Sequence, residues 1–210
     1  MFYISLQIYN RYFVIVIFYI TSPDEPFSFS GHITENWSIN GVPDGGYLMA
    51  ILAKAMMHHC EMRSTPIITA NYLNRCEPGR ARILIERMAA SKQFERFQAS
   101  LHQNGKEKIR AFGTFASENI DCGLESYEVS EPRVADIEKC VPVPELPNFT
   151  LFSRVDMRLD PICTGWFSGE LSDISEIMGW RNLGRKRSTN CNLKTNRSIP
   201  SPHEIAFCDF

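Results

Sequence analysis

The sequence predicts an α+β fold in which an antiparallel sheet curls around one buried helix, and three observations carry that expectation. Residues 47–60 are rich in helix formers and apolar on nearly every side, so the helix they form must be covered all round. The four segments after it change to an alternation of period two, the pattern of half-buried strands. The last two of these are joined by Asn104-Gly105, the favoured two-residue hairpin turn. A run of antiparallel strands hides a whole helix only by wrapping it.

Taken in order, the chain opens with an apolar run from Tyr12 to Ile20 behind Arg11. The run is too short to span a bilayer and has no small-residue cleavage pattern before Thr21-Ser22-Pro23. A strand, or an extension outside the fold, suits it better than a signal or anchor, and residues 1–26 are set apart as an N-terminal extension. Phe27-Ser28-Phe29-Ser30 alternates as a strand, and Trp37-Ser38-Ile39 resumes the alternation after the turn cluster Thr34-Glu35-Asn36. The loop from Asn40 to Gly46 then leads into the helix. Within that helix region Lys54, His58 and Glu61 are spaced to share one narrow polar stripe. The strands expected next are Ile67–Leu73, Ala81–Met88, Phe94–Gln103 and Lys106–Ala116, which closes a domain over residues 27–117. Residues 118–150, with repeated prolines and acids, read as a linker. Strand texture returns at Leu151–Leu159 and Thr164–Leu171, and residues 181–210 read as a flexible tail whose 181–197 stretch holds six basic residues and no acid.

Charge and cysteine content narrow the partners. With 22 basic and 24 acidic residues the net charge is -2, so no global field draws the chain to nucleic acid or an anionic membrane. The seven cysteines are odd in number, scattered, and without a Cys-x-x-Cys pair, which argues against a zinc site and a disulfide framework. A cytoplasmic or other reducing compartment is expected, with no membrane span, and Asn148-Phe149-Thr150 is then an accidental glycosylation match.

The string Trp37-x-Ile39-x-Gly41-x-Pro43-x-Gly45-Gly46-Tyr47, entering an Ala-rich helix, resembles the opening of the thioesterase-like double hot-dog family, akin to acyl-CoA thioesterase II. The hairpin Leu101-His102-Gln103-Asn104-Gly105-Lys106 is similar to the corresponding hairpin of that family. Arg154-Val155-Asp156-Met157-Arg158-Leu159-Asp160 with Gly179-Trp180 resembles the start of its second hot-dog copy. The resemblance implies one complete hot-dog and a partial second over 151–180, because no second apolar helix follows Trp180. It also implies hydrolysis of acyl thioesters to free acid and coenzyme A, without metal or redox cofactor. The family's acid and amide catalytic residues lie in the second copy. The alternative is therefore a catalytically inactive acyl-binding or subunit-like hot-dog protein, a truncated product that pairs with itself or with a complete homologue.

Thioester hydrolysis needs donors for the oxyanion that forms when water attacks the carbonyl, and amides at a helix start supply them. Gly45 and Gly46 stand at that place and leave room for close approach, with Asp44 and Tyr47 beside them as substrate-binding candidates. The same pattern is equally that of an Asp N-cap followed by permissive turn glycines. Gln103 is the counterpart, by internal symmetry, of a glutamine that in the family's second copy holds the attacking water; an exposed strand-end glutamine is its plain alternative. His58 is the candidate base, since it shares the Lys54 stripe and its neighbour His59 must point elsewhere. Lys54 and Arg96, with Arg87 and Lys92, are candidates for the phosphates of coenzyme A, although exposed basic residues usually face solvent alone. A dehydratase or hydratase on the same fold is a more distant reading, because only Asp44 stands beside the helix start.

Overall fold

A computed structural model of the chain describes residues 27–62, 64–117, 133–170, 176–182 and 204–209. They divide into two compact units, Met1–Glu125 and Ser126–Phe210.

The first unit is a hot-dog. Strand β1 (Ser28–Ile33) is followed by the small hairpin of β2 (Ser38–Ile39) and β3 (Val42–Pro43), and then by helix α1 (Gly45–His58). Four longer strands follow: β4 (Ser64–Tyr72), β5 (Gly79–Ala90), β6 (Phe94–Gln103) and β7 (Lys106–Ala116). The antiparallel sheet runs in the order β1-β5-β6-β7-β4. The hairpins β2-β3 and β6-β7 turn on the same dipeptide, with φ of 51° and 74° at Asn40 and Gly41 and 51° and 72° at Asn104 and Gly105. Two successive positive φ angles match the right-handed twist of the flanking strands, and Asn and Gly adopt them at least cost.

Alternation decides which residues meet the helix. Along β6, Phe97, Ala99 and Leu101 are buried, and along β7 so are Ile109, Ala111 and Phe115. Leu48, Ile51, Leu52 and Met56 of α1 pack into the same core with Ile33, Ile83 and Ile85. At Gly113 of β7 a Cβ atom would stand 2.5 Å from Met56 Sδ and 2.9 Å from the Phe115 ring. A side chain there would have to displace the Met56 thioether and the Phe115 ring from the core, which accounts for a glycine in mid-strand. Of the polar stripe expected on α1, Lys54 and His58 are exposed as anticipated.

The second unit contains a sheet ordered β11-β10-β9-β8, with β8 at Val141–Pro142, β9 at Asp156–Leu159, β10 at Ile177–Asn182 and β11 at Glu204–Asp209. Val143, Leu159 and Cys163 form its small core. Gly179 allows the close passage of β10 over β9, because a Cβ there would collide with the Arg158 carbonyl.

Three expectations change here. Residues 133–150, read as linker, are part of this unit: Val141 and Pro142 pair with Leu159 and Arg158, and the Trp180 indole donates to the Ala135 carbonyl at 2.8 Å. Thr164–Leu171, read as a strand, holds instead a 3-10 turn at Gly165–Ser168, directly after another at Pro161–Cys163. The Phe167 amide donates to the Thr164 carbonyl and the Ser168 hydroxyl to the Gly165 carbonyl, local bonds that outcompete a ladder. Within the expected flexible tail, Glu204–Asp209 pairs antiparallel with Ile177–Asn182. The N-terminal extension, the apolar run Tyr12–Ile20 and residues 118–132 and 183–203 lie outside the described residues.

Candidate functional site

The site expected at the start of α1 begins with Asp44, whose extended backbone ends the β2-β3 hairpin and whose side chain caps the helix. Five successive amides meet there. Asp44 N–H donates to the Trp37 carbonyl at 2.8 Å, Tyr47 N–H to Asp44 Oδ1 at 3.0 Å, and Leu48 N–H to the Asp44 carbonyl at 3.1 Å. The amides of Gly45 and Gly46, between them, have no acceptor among the described residues. A helix start leaves such donors over, and the positive end of the helix dipole adds to their pull on an anion. Neither glycine tolerates a side chain freely: a Cβ on Gly46 would lie 3.2 Å from Asp44 Oδ1, and one on Gly45 3.2 Å from the Tyr72 hydroxyl.

Around this point the side chains are well held. Tyr47 is buried, its ring stacks on Trp37 at 5.9 Å, and its hydroxyl accepts from the Thr34 amide at 3.2 Å. Burial pushes its phenol above the ordinary range, so it stays protonated. Tyr72, at the end of β4, donates its hydroxyl to the Gly45 carbonyl at 2.6 Å. Burial first, then the Asp44 carboxylate and Cys76, raise its pKa as well.

The remaining expected residues do not gather here. His58 lies in the last turn of α1, twelve residues beyond Gly46, a separation of roughly 18 Å along the axis. It packs instead among Phe29 and His59, with ring centroids 5.7 and 5.2 Å away, and cannot serve as base for water at the helix start of the same chain. Beside it, burial and the proximity of His58 lower the pKa of His59. Lys54 is exposed eight residues along from Gly46, roughly 12 Å away. Arg96 points away from the helix, since its neighbours Glu95 and Phe97 face inward, and its guanidinium lies over the Phe94 ring at 5.7 Å. Arg87 pairs with Glu95.

Gln103 is buried, not exposed, and its carboxamide is held by the β4-β5 connection: Nε2 donates to the carbonyls of Glu77 at 2.8 Å and Arg80 at 3.3 Å, and Oε1 accepts from the Glu77 amide at 3.1 Å. Both amide hydrogens are spent on backbone, and one lone pair of Oε1 remains. Gln103→Ala is therefore expected to lower stability by ~1–3 kcal/mol in urea unfolding, because it strands buried backbone groups. Its ligand affinity measured well below the transition should match the parent chain; a selective loss of ligand binding in a stable variant would contradict this assignment.

Two residues of consequence were not singled out from the sequence. Tyr72 follows Ile68 and Ala70 on the helix-facing side of β4, so the strand's alternation already pointed it at the helix start. Glu95 is the first inward position of β6, in step with Phe97, Ala99 and Leu101, and its burial was signalled by the same alternation. It accepts from the Glu61 and Met62 amides at 2.8 and 3.3 Å and from the Cys60 thiol at 2.9 Å, tying down the chain where it leaves α1.

Comparison with known proteins agrees with the fold of the first unit. Residues 33–116 match the family described as acyl-CoA thioesterase N-terminal domain. No curated protein sequence matches the chain. Among solved structures, a candidate thioesterase II from Thermobifida fusca is similar with a TM-score of 0.68 and 17% identity, over 80% of this chain and 61% of that one. A hot-dog protein of unknown function from Alicyclobacillus acidocaldarius gives 0.64 and 16%, over 75% and 58%. An acyl-CoA thioesterase II from Mycobacterium marinum gives 0.56 and 13%, over 77% and 57%. At these identities the likeness is one of fold, and the chain spans about three fifths of each of these structures.

Proposed function

We propose, from a hot-dog domain whose residues 33–116 match acyl-CoA thioesterase N-terminal domains, that this chain binds acyl-CoA thioesters and hydrolyses them to a free acid and coenzyme A. The observation that carries the reading is the pair of open amides at Gly45 and Gly46, two donors side by side where a carbonyl oxygen would become an oxyanion. Water adds to the thioester carbon, the oxyanion rests on those amides, and its collapse breaks the C–S bond and releases the coenzyme A thiolate. Asp44 is the carboxylate nearest these amides and the group best placed to take the proton from water; Tyr47, through its stacking on Trp37, keeps the helix entrance in shape. The step balances with water alone, so no metal or redox cofactor is invoked. The buried free thiols of Cys60, Cys76, Cys140 and Cys163 suit a reducing compartment such as the cytoplasm, and no helix among the described residues is long and apolar enough to cross a membrane.

Self-association belongs to the same proposal. Strand β4 is an edge of the five-stranded sheet, with Ile67 64% exposed and Leu73, just beyond the strand, more than half exposed. An apolar sheet edge favours a second copy or a homologue.

A second reading, an acyl-binding chain without hydrolysis, is favoured by the place of His58 at the other end of α1 and by the bonds that commit both Gln103 amide hydrogens to backbone. Purified chain incubated with acyl-CoAs of graded length separates the two. Release of free thiol above the rate without protein is expected; binding by calorimetry with no thiol release selects the acyl-binding reading, and neither binding nor release sinks both. Light scattering in the same buffer should give a dimer or larger species, and a compact monomer would refute the association.

A further inference from the structure

A helix that starts on two glycines starts on its most pliable residues, since glycine loses the most conformational freedom on ordering. Asp44 holds the Tyr47 amide on the far side of the pair but bonds to neither glycine. The Gly45 carbonyl is held from outside the helix by the Tyr72 hydroxyl, at 2.6 Å. That carbonyl and the Gly46 N–H belong to one planar trans peptide and point in opposite directions, so fixing the first fixes the second. The carbonyl has a lone pair for the helix and another for the phenol, and the phenol stays protonated because burial and the Asp44 carboxylate oppose its ionisation. Gly45 permits the arrangement, since a Cβ would press on the Tyr72 hydroxyl at 3.2 Å and its ring at 3.3 Å.

We infer that Tyr72 is a positioning residue for the reaction: by clamping the Gly45 carbonyl it presents the Gly46 N–H as a rigid oxyanion donor at the start of α1. The inference rests on the thioester reading above and deepens it, since a donor that must reorient during the reaction stabilises the oxyanion less than one already in place.

The test uses the full chain labelled with nitrogen-15, as the parent and as Tyr72→Phe, which removes only the hydroxyl. In the parent, the Gly46 amide order parameter should sit near the rigid value of about 0.85, and in Tyr72→Phe it should fall toward the flexible range below about 0.6, with Ile51 and Leu52 unchanged. On an acyl-CoA substrate, Tyr72→Phe should lower kcat roughly tenfold while KM stays within about twofold, the size of one lost hydrogen bond expressed in the transition state. Gly45→Ala, which displaces the ring and keeps the hydroxyl, should loosen Gly46 in the same way even though alanine favours a helix. An unchanged Gly46 order parameter in both variants overturns the clamp. Unchanged kcat in Tyr72→Phe, with an active parent, overturns its catalytic consequence. A parent without turnover overturns the hydrolase reading and that consequence, while the order parameters, read on unliganded protein, still decide the clamp.

Discussion

Glu95→Ala is expected to destabilise the hot-dog unit by ~2–4 kcal/mol, among the largest losses open to a single side chain here. Its carboxylate is 2% exposed and receives the Glu61 and Met62 amides, the Cys60 thiol and the Arg87 guanidinium. Removing it leaves two backbone donors facing a cavity, while the half-exposed Arg87 turns to water. Backbone donors cannot be removed in compensation, so the cost is that of desolvated groups and not of one net hydrogen bond. Glu95→Gln keeps the shape and one acceptor oxygen but loses the charge, and should cost about 1–3 kcal/mol. Urea unfolding followed by tryptophan fluorescence and circular dichroism reads both. A loss under about 1 kcal/mol for Glu95→Ala would mean that water or a rearranged Arg87 satisfies the loop after α1.

Gly46→Pro is expected to lower kcat by about 10²–10³ with little change in fold, if the open amides hold the oxyanion. Proline is tolerated in the first turn of a helix because the N–H it lacks has no helical partner there, and Gly45 before it is conformationally permissive. The substitution deletes one donor, and its Cβ adds the same 3.2 Å contact with Asp44 Oδ1 that alanine would make. Gly46→Ala is the control: it keeps the N–H and only presses on Asp44 Oδ1, 3.2 Å from the new Cβ, so it should retain most of the turnover. Circular dichroism confirms that both variants fold. Full activity in Gly46→Pro would remove the helix start from the mechanism and leave the acyl-binding reading to explain the open amides.

The sequence by itself determined the hot-dog unit: the all-round apolar helix, the four alternating strands and the Asn104-Gly105 turn are local patterns whose period and turn chemistry act within a few residues. Asn40-Gly41, read as part of a loop leading into the helix, carries the same turn chemistry and makes a second hairpin in the folded chain. In the second unit local pattern misled, because the Phe167 amide and the Ser168 hydroxyl bond to nearby carbonyls and turn a strand-like stretch into a 3-10 turn. The pairing of Glu204–Asp209 with Ile177–Asn182 joins segments separated by a stretch of basic residues that carries no periodicity of its own. The helix start was equally legible as an anion site and as a capped turn; the account of five amides, three bonded and two open, needed the folded chain. Tertiary structure alone decided that Gln103 spends its amide hydrogens on Glu77 and Arg80, that Tyr72 reaches the Gly45 carbonyl, and that Glu95 receives the chain leaving α1. These are contacts between residues far apart in sequence, set by how the sheet curls around the helix; alternation gives the face on which Tyr72 and Glu95 stand, and not the partner each meets there.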